Sequence, residues 1–134
     1  MRKIVLIACA SQKLASKAKA RDLYTSTLFK KSLAYAQRLQ PDSILILSAK
    51  HALLDLETEI EPYNLTLNNM SASEIRSWAE RVVKQLSERS DLQRDHFIFL
   101  AGMKYRKYLV PHLHSWQVPL EGMRIGEQLH FLGG

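Results

Sequence analysis

Cysteine is nearly missing from this 134-residue chain: the one present, Cys9, excludes an internal disulfide and cannot by itself build a Cys-rich zinc site. No metal or cofactor is expected. Glycine is sparse too, and the Ser11-Gln12-Lys13 turn has none, so a phosphate-cradling loop and a dinucleotide fingerprint are both absent and nucleoside triphosphate hydrolysis is disfavoured. No apolar run approaches the ~20 residues of a membrane-spanning helix. Met1-Arg2-Lys3 leads into an apolar run too short for a signal-peptide core with its cleavage site, so a cytoplasmic location and no membrane partner are expected. Acidic residues are scarce in the first third. Residues 1–40 hold nine Lys and Arg against the single acid Asp22, a local charge of +8 in a chain whose total is +6.

The remaining charge is uneven in the opposite sense. Residues 41–70 carry Lys50 against Asp42, Asp55, Glu57, Glu59 and Glu61, a local charge of −4. A basic third followed by an acidic loop gives either a polarised surface suited to DNA or RNA, or two segments that meet and neutralise each other. The length fits one compact domain, residues 1–134, and an apolar fraction of 46% is ordinary for a chain with its own core.

Three short apolar runs lack alternation: Ile4 to Ala8, Ile44 to Leu47 and Phe97 to Leu100. That is how strands buried on both faces of a parallel sheet read, and it predicts strands near 3–8, 43–48 and 96–101. Leu28, Phe29, Leu33, Ala36 and Leu39 recur at helical spacing between the first two runs, with Thr25 or Ser26 as N-cap and Pro41 as stop, predicting a helix near 26–40. Ile75, Trp78, Val82 and Leu86 do the same before the third run, behind a capping box of Ser71 and Glu74, predicting a helix near 72–89. A third helix from Lys104 to about Val110, ended or restarted by Pro111, and a short last strand at Trp116 to Val118 complete the pattern. The fold class is α/β: a small three-layer α/β/α domain with a mainly parallel sheet of three to four strands.

Open α/β sheets gather ligands beyond the carboxyl ends of their strands. Cys9, Ser11 and Lys13 follow the first strand, Ser48, Lys50 and His51 the second, and Gly102 with Tyr105 the third. Two long connections add Asp22, Tyr24, Thr25 and Ser26, then Glu61, Tyr63 and Asn64. Lys50 and His51 offer a cation and a titratable imidazole for phosphate binding or proton transfer, against the plainer reading of a solvated strand end. Tyr24, Tyr63 and Tyr105 can stack on a base, or serve as core rings with a wet hydroxyl. Glu121 and Gln128, on a glycine-containing C-terminal loop, suit the edge of a nucleobase, or mark a simple turn before Leu129 to Leu132. Cys9 is more simply an inert thiol than a nucleophile, and His96, His112, His114 and His130 lack ligand spacing.

The ordered motifs Cys9-x-Ser11-x-Lys13-Leu14, Ala20 to Ser26, Leu47-Ser48-Ala49-Lys50-His51, Glu61-Pro62-Tyr63 and Pro119-Leu120-Glu121-Gly122 resemble a bacterial and phage family of unknown function. Its members are often labelled as similar to the peroxide-stress protein YaaA. The resemblance spans nearly the whole chain and implies DNA association and protection against oxidative stress. The Cys-Ser-Lys and Tyr-x-Ser segments also look loosely like a domain found beside tRNA-guanine transglycosylases and archaeosine enzymes, which handle bases in nucleic acids. Two positions depart from the family pattern: Ala52 stands where glycine usually follows the histidine, and Asn64 where aspartate usually follows Pro-Tyr. If that aspartate activates water in the family, an amide cannot accept the proton, and this chain is impaired or uses Asp22 or Glu121 instead; if the position only binds ligand, asparagine serves as well.

The leading expectation is a nucleobase- or nucleotide-binding enzyme that cleaves or exchanges an N-glycosidic bond in a nucleoside or nucleic acid. Asp22 or Glu121 would stabilise the sugar cation or position water, Lys50 or His51 would stabilise the departing base, and Tyr24 and Tyr63 would clamp the ring. Lys17, Lys19 and Arg21, with Lys13, form the basic run for backbone contacts. The alternatives are a non-catalytic DNA-binding stress protein and a nucleotide sensor in a phage or defence system. Convergence of Asp22, Lys50, Tyr63 and Glu121 in one concavity would favour enzyme or sensor.

Overall fold

A computed structural model describes residues 1–133. In chain order the elements are β1 Lys3–Ala8, β2 Ala18–Lys19, α1 Ala20–Leu23, α2 Thr27–Arg38, β3 Ser43–Ser48, β4 Ala52–Asp55 and β5 Glu59–Ile60. They continue with α3 Ala72–Arg89, β6 His96–Leu100, α4 Met103–Arg106, β7 Ser115–Gln117 and α5 Ile125–Gly133; 3-10 turns lie at Leu67–Asn69 and Val110–His112. The main sheet runs β4-β3-β1-β6-β7. Its three pairings to β1 and β6 are parallel, and β4 returns antiparallel along β3 as an added edge.

The unbroken apolar runs follow from burial on both faces. Ile4, Leu6, Leu45, Leu47, Phe97 and Phe99 meet Ile75, Trp78, Val82 and Leu86 of α3. Val5, Ile7, Ile46, Ile98 and Leu100 meet Leu23, Phe29, Ala36 and Leu132 on the side of α2 and α5. Every such side chain contributes roughly 1.5–3 kcal/mol when fully buried, so the chain forms the expected three-layer α/β/α domain. The capping box at α3 is formed reciprocally, Glu74 N–H to Ser71 Oγ at 3.2 Å and Ser71 N–H to Glu74 Oε1 at 2.9 Å. Ser26, not Thr25, caps α2, accepting the Phe29 N–H at 3.1 Å.

The helix expected at 104–110 is split into α4 and the following 3-10 turn, with Pro111 at the start of that turn. Three further departures come from tertiary contacts. After Ser48 the chain turns back at once: Ser48 pairs with Ala52 across Ala49-Lys50-His51, and Ala52 takes φ 65°. A tight turn followed by a left-handed residue is a common hairpin closure, so Lys50 and His51 occupy a hairpin tip and not a strand-to-helix connection. Ala18 and Lys19 pair with Ile60 and Glu59, bringing the basic and acidic segments together. The chain after Met123 forms a helix, α5, held to α2 by the Tyr35 and Phe131 rings (centroids 5.5 Å apart) and by Arg38, which donates to the Leu132 carbonyl.

Candidate functional site

The strand order reverses at β1: the chain goes from β1 out to β3, then crosses back to β6 on the other side. Beyond such a reversal the connections diverge and leave a crevice at the carboxyl ends of the two strands. A cavity of about 210 Å³ lies there. Ala8, Cys9 and Ala10 leave β1 on one side of it, Leu100, Ala101 and Gly102 leave β6 on the other, and the first turn of α2 and the loop 118–123 close it. Its walls are largely apolar, from Leu28, Phe29, Val118, Leu120 and Met123.

Two charged side chains reach this cavity. Arg106, on α4, is only 8% exposed; its guanidinium donates to the Ala101 carbonyl and to Glu121 Oε2, each at 3.1 Å. Glu121 is the freer partner, its side chain 63% exposed against 10% for Arg106. Its loop is anchored by buried Leu120, and Gly122 turns it with φ 80°, a backbone that favours glycine. Gln128, from α5, donates to the Met123 carbonyl at 3.0 Å and keeps its amide oxygen free to accept. Arg106 did not stand out in the sequence, although it lies in the same connection after the third strand as Gly102 and Tyr105.

On the α3 side of Cys9 lies a second cavity of about 140 Å³, lined by Ser11, Lys13, Asn64, Thr66, Asn68 and Tyr105 among others. Cys9 and Ala10 border both cavities. The Tyr105 hydroxyl is 3.4 Å from Cys9 Sγ, and its ring packs edge-on against Trp78. Beneath Lys13 runs a hydroxyl chain: Tyr24 Oη to Tyr63 Oη at 2.6 Å, Tyr63 Oη to Ser48 Oγ at 2.8 Å, and the His51 N–H donating to Ser48 Oγ at 3.0 Å. Trp78 Nε1 donates to the Ser48 carbonyl at 2.8 Å, tying α3 to the end of β3. The Lys13 ammonium sits 4.4 Å from the Tyr63 ring centroid, a cation–π contact.

Burial controls the titration of these groups. It pushes the Tyr24 phenol up to about 12, with the hydrogen bond to Tyr63 opposing. It raises Tyr63 and Tyr105 as well, and the neighbouring Cys9 adds to both. Burial lowers Lys13, with Cys9 opposing. His51 is lowered by burial and then by the positive charges of Lys50 and Arg81.

The expected site residues thus separate into groups. Cys9, Ser26, Gly102, Glu121 and Gln128 line the cavity at the strand reversal. Cys9, Ser11, Lys13, Asn64 and Tyr105 line its neighbour, with Tyr24, Ser48 and Tyr63 in the hydroxyl chain below Lys13. Asp22, Lys50 and His51 do not join them. Asp22 is exposed on the one-turn helix α1 and lines a separate groove with Leu14, Arg21 and Lys30. Lys50 is exposed at the hairpin tip, where its carbonyl accepts from Arg81, and His51 packs its ring edge-on to Tyr63 from the same tip. The expected convergence of Asp22, Lys50, Tyr63 and Glu121 does not occur, because the hairpin and α1 carry two of them away. Nor is the basic run free: Lys19 and Arg21 both bind Glu57, at 3.0 and 2.8 Å, leaving Lys17 and Lys13 outside that pairing. Among the described residues no group of three or more His, Cys, Asp and Glu is disposed to hold a metal, and no helix is long and apolar enough to cross a membrane.

A family model matches residues 4–134, almost the whole chain. The chain belongs to the family of unknown function DUF6884. No curated protein and no solved structure matches it. The DUF6884 assignment covers both cavities together, since the match runs from the first residues of β1 through α5.

Proposed function

We propose that this DUF6884 protein binds a nucleobase, as a nucleoside or nucleotide, in the cavity at the strand reversal and hydrolyses its N-glycosidic bond. The observation that carries the reading is the composition of that cavity: apolar walls that can sandwich a flat ring, and one carboxylate, Glu121, held by a buried arginine at the rim. At about 210 Å³ it falls below the ~300 Å³ at which pockets for drug-sized ligands begin, so it suits one base and not a dinucleotide. Cleavage of the bond puts oxocarbenium-like charge on the sugar. Glu121, with one oxygen on Arg106 and the other free, stabilises that charge or orients the attacking water; water adds its hydroxyl to the anomeric carbon and its proton goes to the departing base nitrogen. Asp22 and Lys50, outside the cavity, have no part in this mechanism.

The test is release of free base, followed by chromatography, when the purified protein is incubated with the common nucleosides and their 5′-monophosphates. Glu121→Gln is expected to lower release by about 100-fold or more, the scale for losing one electrostatic stabiliser, while ligand binding persists. Binding without release in the wild type supports the nucleotide-sensor reading, which uses the same cavity; neither binding nor release overturns the proposal. The DNA-binding reading associated with the YaaA label is weaker on this surface, because Glu57 occupies two of its four cations.

A further inference from the structure

The cavity on the α3 side of Cys9 is lined mainly by polar residues. Ser11, Asn64, Thr66, Asn68 and Tyr105 bring hydroxyl and amide groups to it, Lys13 brings the only charge, and neither Asp nor Glu lines it. Lys19 and Arg21 are paired with Glu57 and Lys17 does not line the cavity, whereas among the described residues Lys13 has no carboxylate within ion-pair distance. Lys13 is nevertheless held: its ammonium donates to the Ser11 carbonyl at 3.4 Å and rests on the Tyr63 ring, which the hydroxyl chain fixes. A positioned, unpaired ammonium among neutral donors lacks only an anion. Burial lowers its pKa, with only the Cys9 thiol opposing.

We propose that this cavity is an oxyanion subsite for one phosphoryl group, with Lys13 as its cation and the Asn64 amide as a neutral donor. Resting on the reading of the neighbouring cavity as a base site, it takes the phosphate of a nucleoside monophosphate whose base lies across Cys9 and Ala10. A single phosphoryl group follows from the single cation and the volume of about 140 Å³: a di- or triphosphate brings more charge than one ammonium balances, and no glycine-rich loop is present to supply backbone donors. Asn64 matters by its neutrality. A carboxylate there would pair with Lys13 and repel the incoming anion.

Isothermal titration with inorganic phosphate, the common nucleosides and their 5′-monophosphates tests this. The monophosphate is expected to bind about 10- to 100-fold tighter than its nucleoside, the worth of one charge-assisted hydrogen bond. Lys13→Gln and Asn64→Asp, each checked for a native circular dichroism spectrum and melting temperature, are both expected to collapse that difference and to weaken inorganic phosphate to the same degree. Asn64 is exposed, so its variant keeps the test open should Lys13→Gln fail to fold. Equal affinity for nucleoside and monophosphate in the wild type overturns the subsite and leaves the base cavity standing. Phosphate binding that depends on Lys13, with no nucleoside binding, upholds the subsite and overturns the base reading. Phosphate binding unchanged in both variants overturns the subsite.

Discussion

Removing one oxygen atom, in Tyr63→Phe, is expected to be among the costliest conservative changes in this chain. The Tyr63 hydroxyl bridges Tyr24 Oη at 2.6 Å and Ser48 Oγ at 2.8 Å. Tyr24 is 1% exposed and Ser48 0%, so water cannot replace what is lost. Each bond contributes about 1 kcal/mol net, and a buried hydroxyl left without a partner costs about 1–3 kcal/mol more. Ser48 keeps the His51 N–H, but Tyr24 Oη loses its 2.6 Å bond to Tyr63 and is left with Ser48 as its neighbouring hydroxyl, so the variant should lose about 2–3 kcal/mol. Tyr24→Phe removes only the first bond and leaves Tyr63 on Ser48, at a cost of about 1 kcal/mol. The double variant has no orphaned phenol and should be less destabilised than the sum of the singles, by about 1–2 kcal/mol. Urea denaturation of the three variants, followed by circular dichroism at constant slope, measures these values. Tyr63→Phe within 0.5 kcal/mol of wild type, or strict additivity, would refute the reasoning.

Four shorter expectations accompany it. The His51 pKa is held below its ordinary 6.5 by burial, Lys50 and Arg81; the unfolded chain then binds the proton more readily, so stability should fall as pH drops below 6.5, and His51→Gln should flatten that slope above the carboxylate range. Tyr24 at about 12, with Tyr63 and Tyr105 also raised, should ionise only as the fold opens, so stability should fall above pH 10 and tyrosinate absorbance should appear with the loss of circular dichroism. Gly122→Ala meets open space but keeps a φ of 80°, and should cost about 1 kcal/mol in a melting experiment while loosening the Glu121 loop. Glu57→Gln frees Lys19 and Arg21, and should steepen the slope of log affinity for duplex DNA against log salt by about 0.9 for each cation that gains a phosphate; an unchanged slope would show that these cations do not face DNA.

The sheet was legible because its strands are buried on both faces, which leaves an unbroken apolar run in the sequence at Ile4 to Ala8, Ile44 to Leu47 and Phe97 to Leu100. β4 was not. Its four residues follow the polar pair Lys50-His51, and the hairpin that starts it depends on Ala52 adopting φ 65°, a conformation alanine does not advertise. A glycine at that position, as the resembled family usually has, would have marked the turn. Helix α5 was hidden for the opposite reason: Gly126 and Gly133 argue against a helix, and packing of Phe131 and Leu132 on α2 overrides their propensity. Residues after β1 and β6 lie at the carboxyl edge, Lys50 and His51 after β3 are carried to a hairpin tip, and which of two adjacent cavities a residue enters depends on the side of the sheet to which its connection turns. That choice leaves no local pattern.

Charge shows most clearly what the chain conceals. A local excess of +8 in the first forty residues reads as a surface for polyanions, yet the acidic segment is folded onto it through the two-residue β2–β5 pairing, with Glu57 gripping Lys19 and Arg21. Exposed pairs of this kind add little stability, typically under ~1 kcal/mol each. Their larger effect is to withdraw cations from outside partners, since a paired ammonium has no counterion to release. Lys13 belongs to the same basic segment, but the bridge between Lys13 and Tyr24 turns it inward to the Tyr63 ring and away from Glu57. With Lys19 and Arg21 neutralised, Lys13 stands at a small cavity, where the anion proposed for it would feel its charge at a lower local dielectric than across an open, screened face.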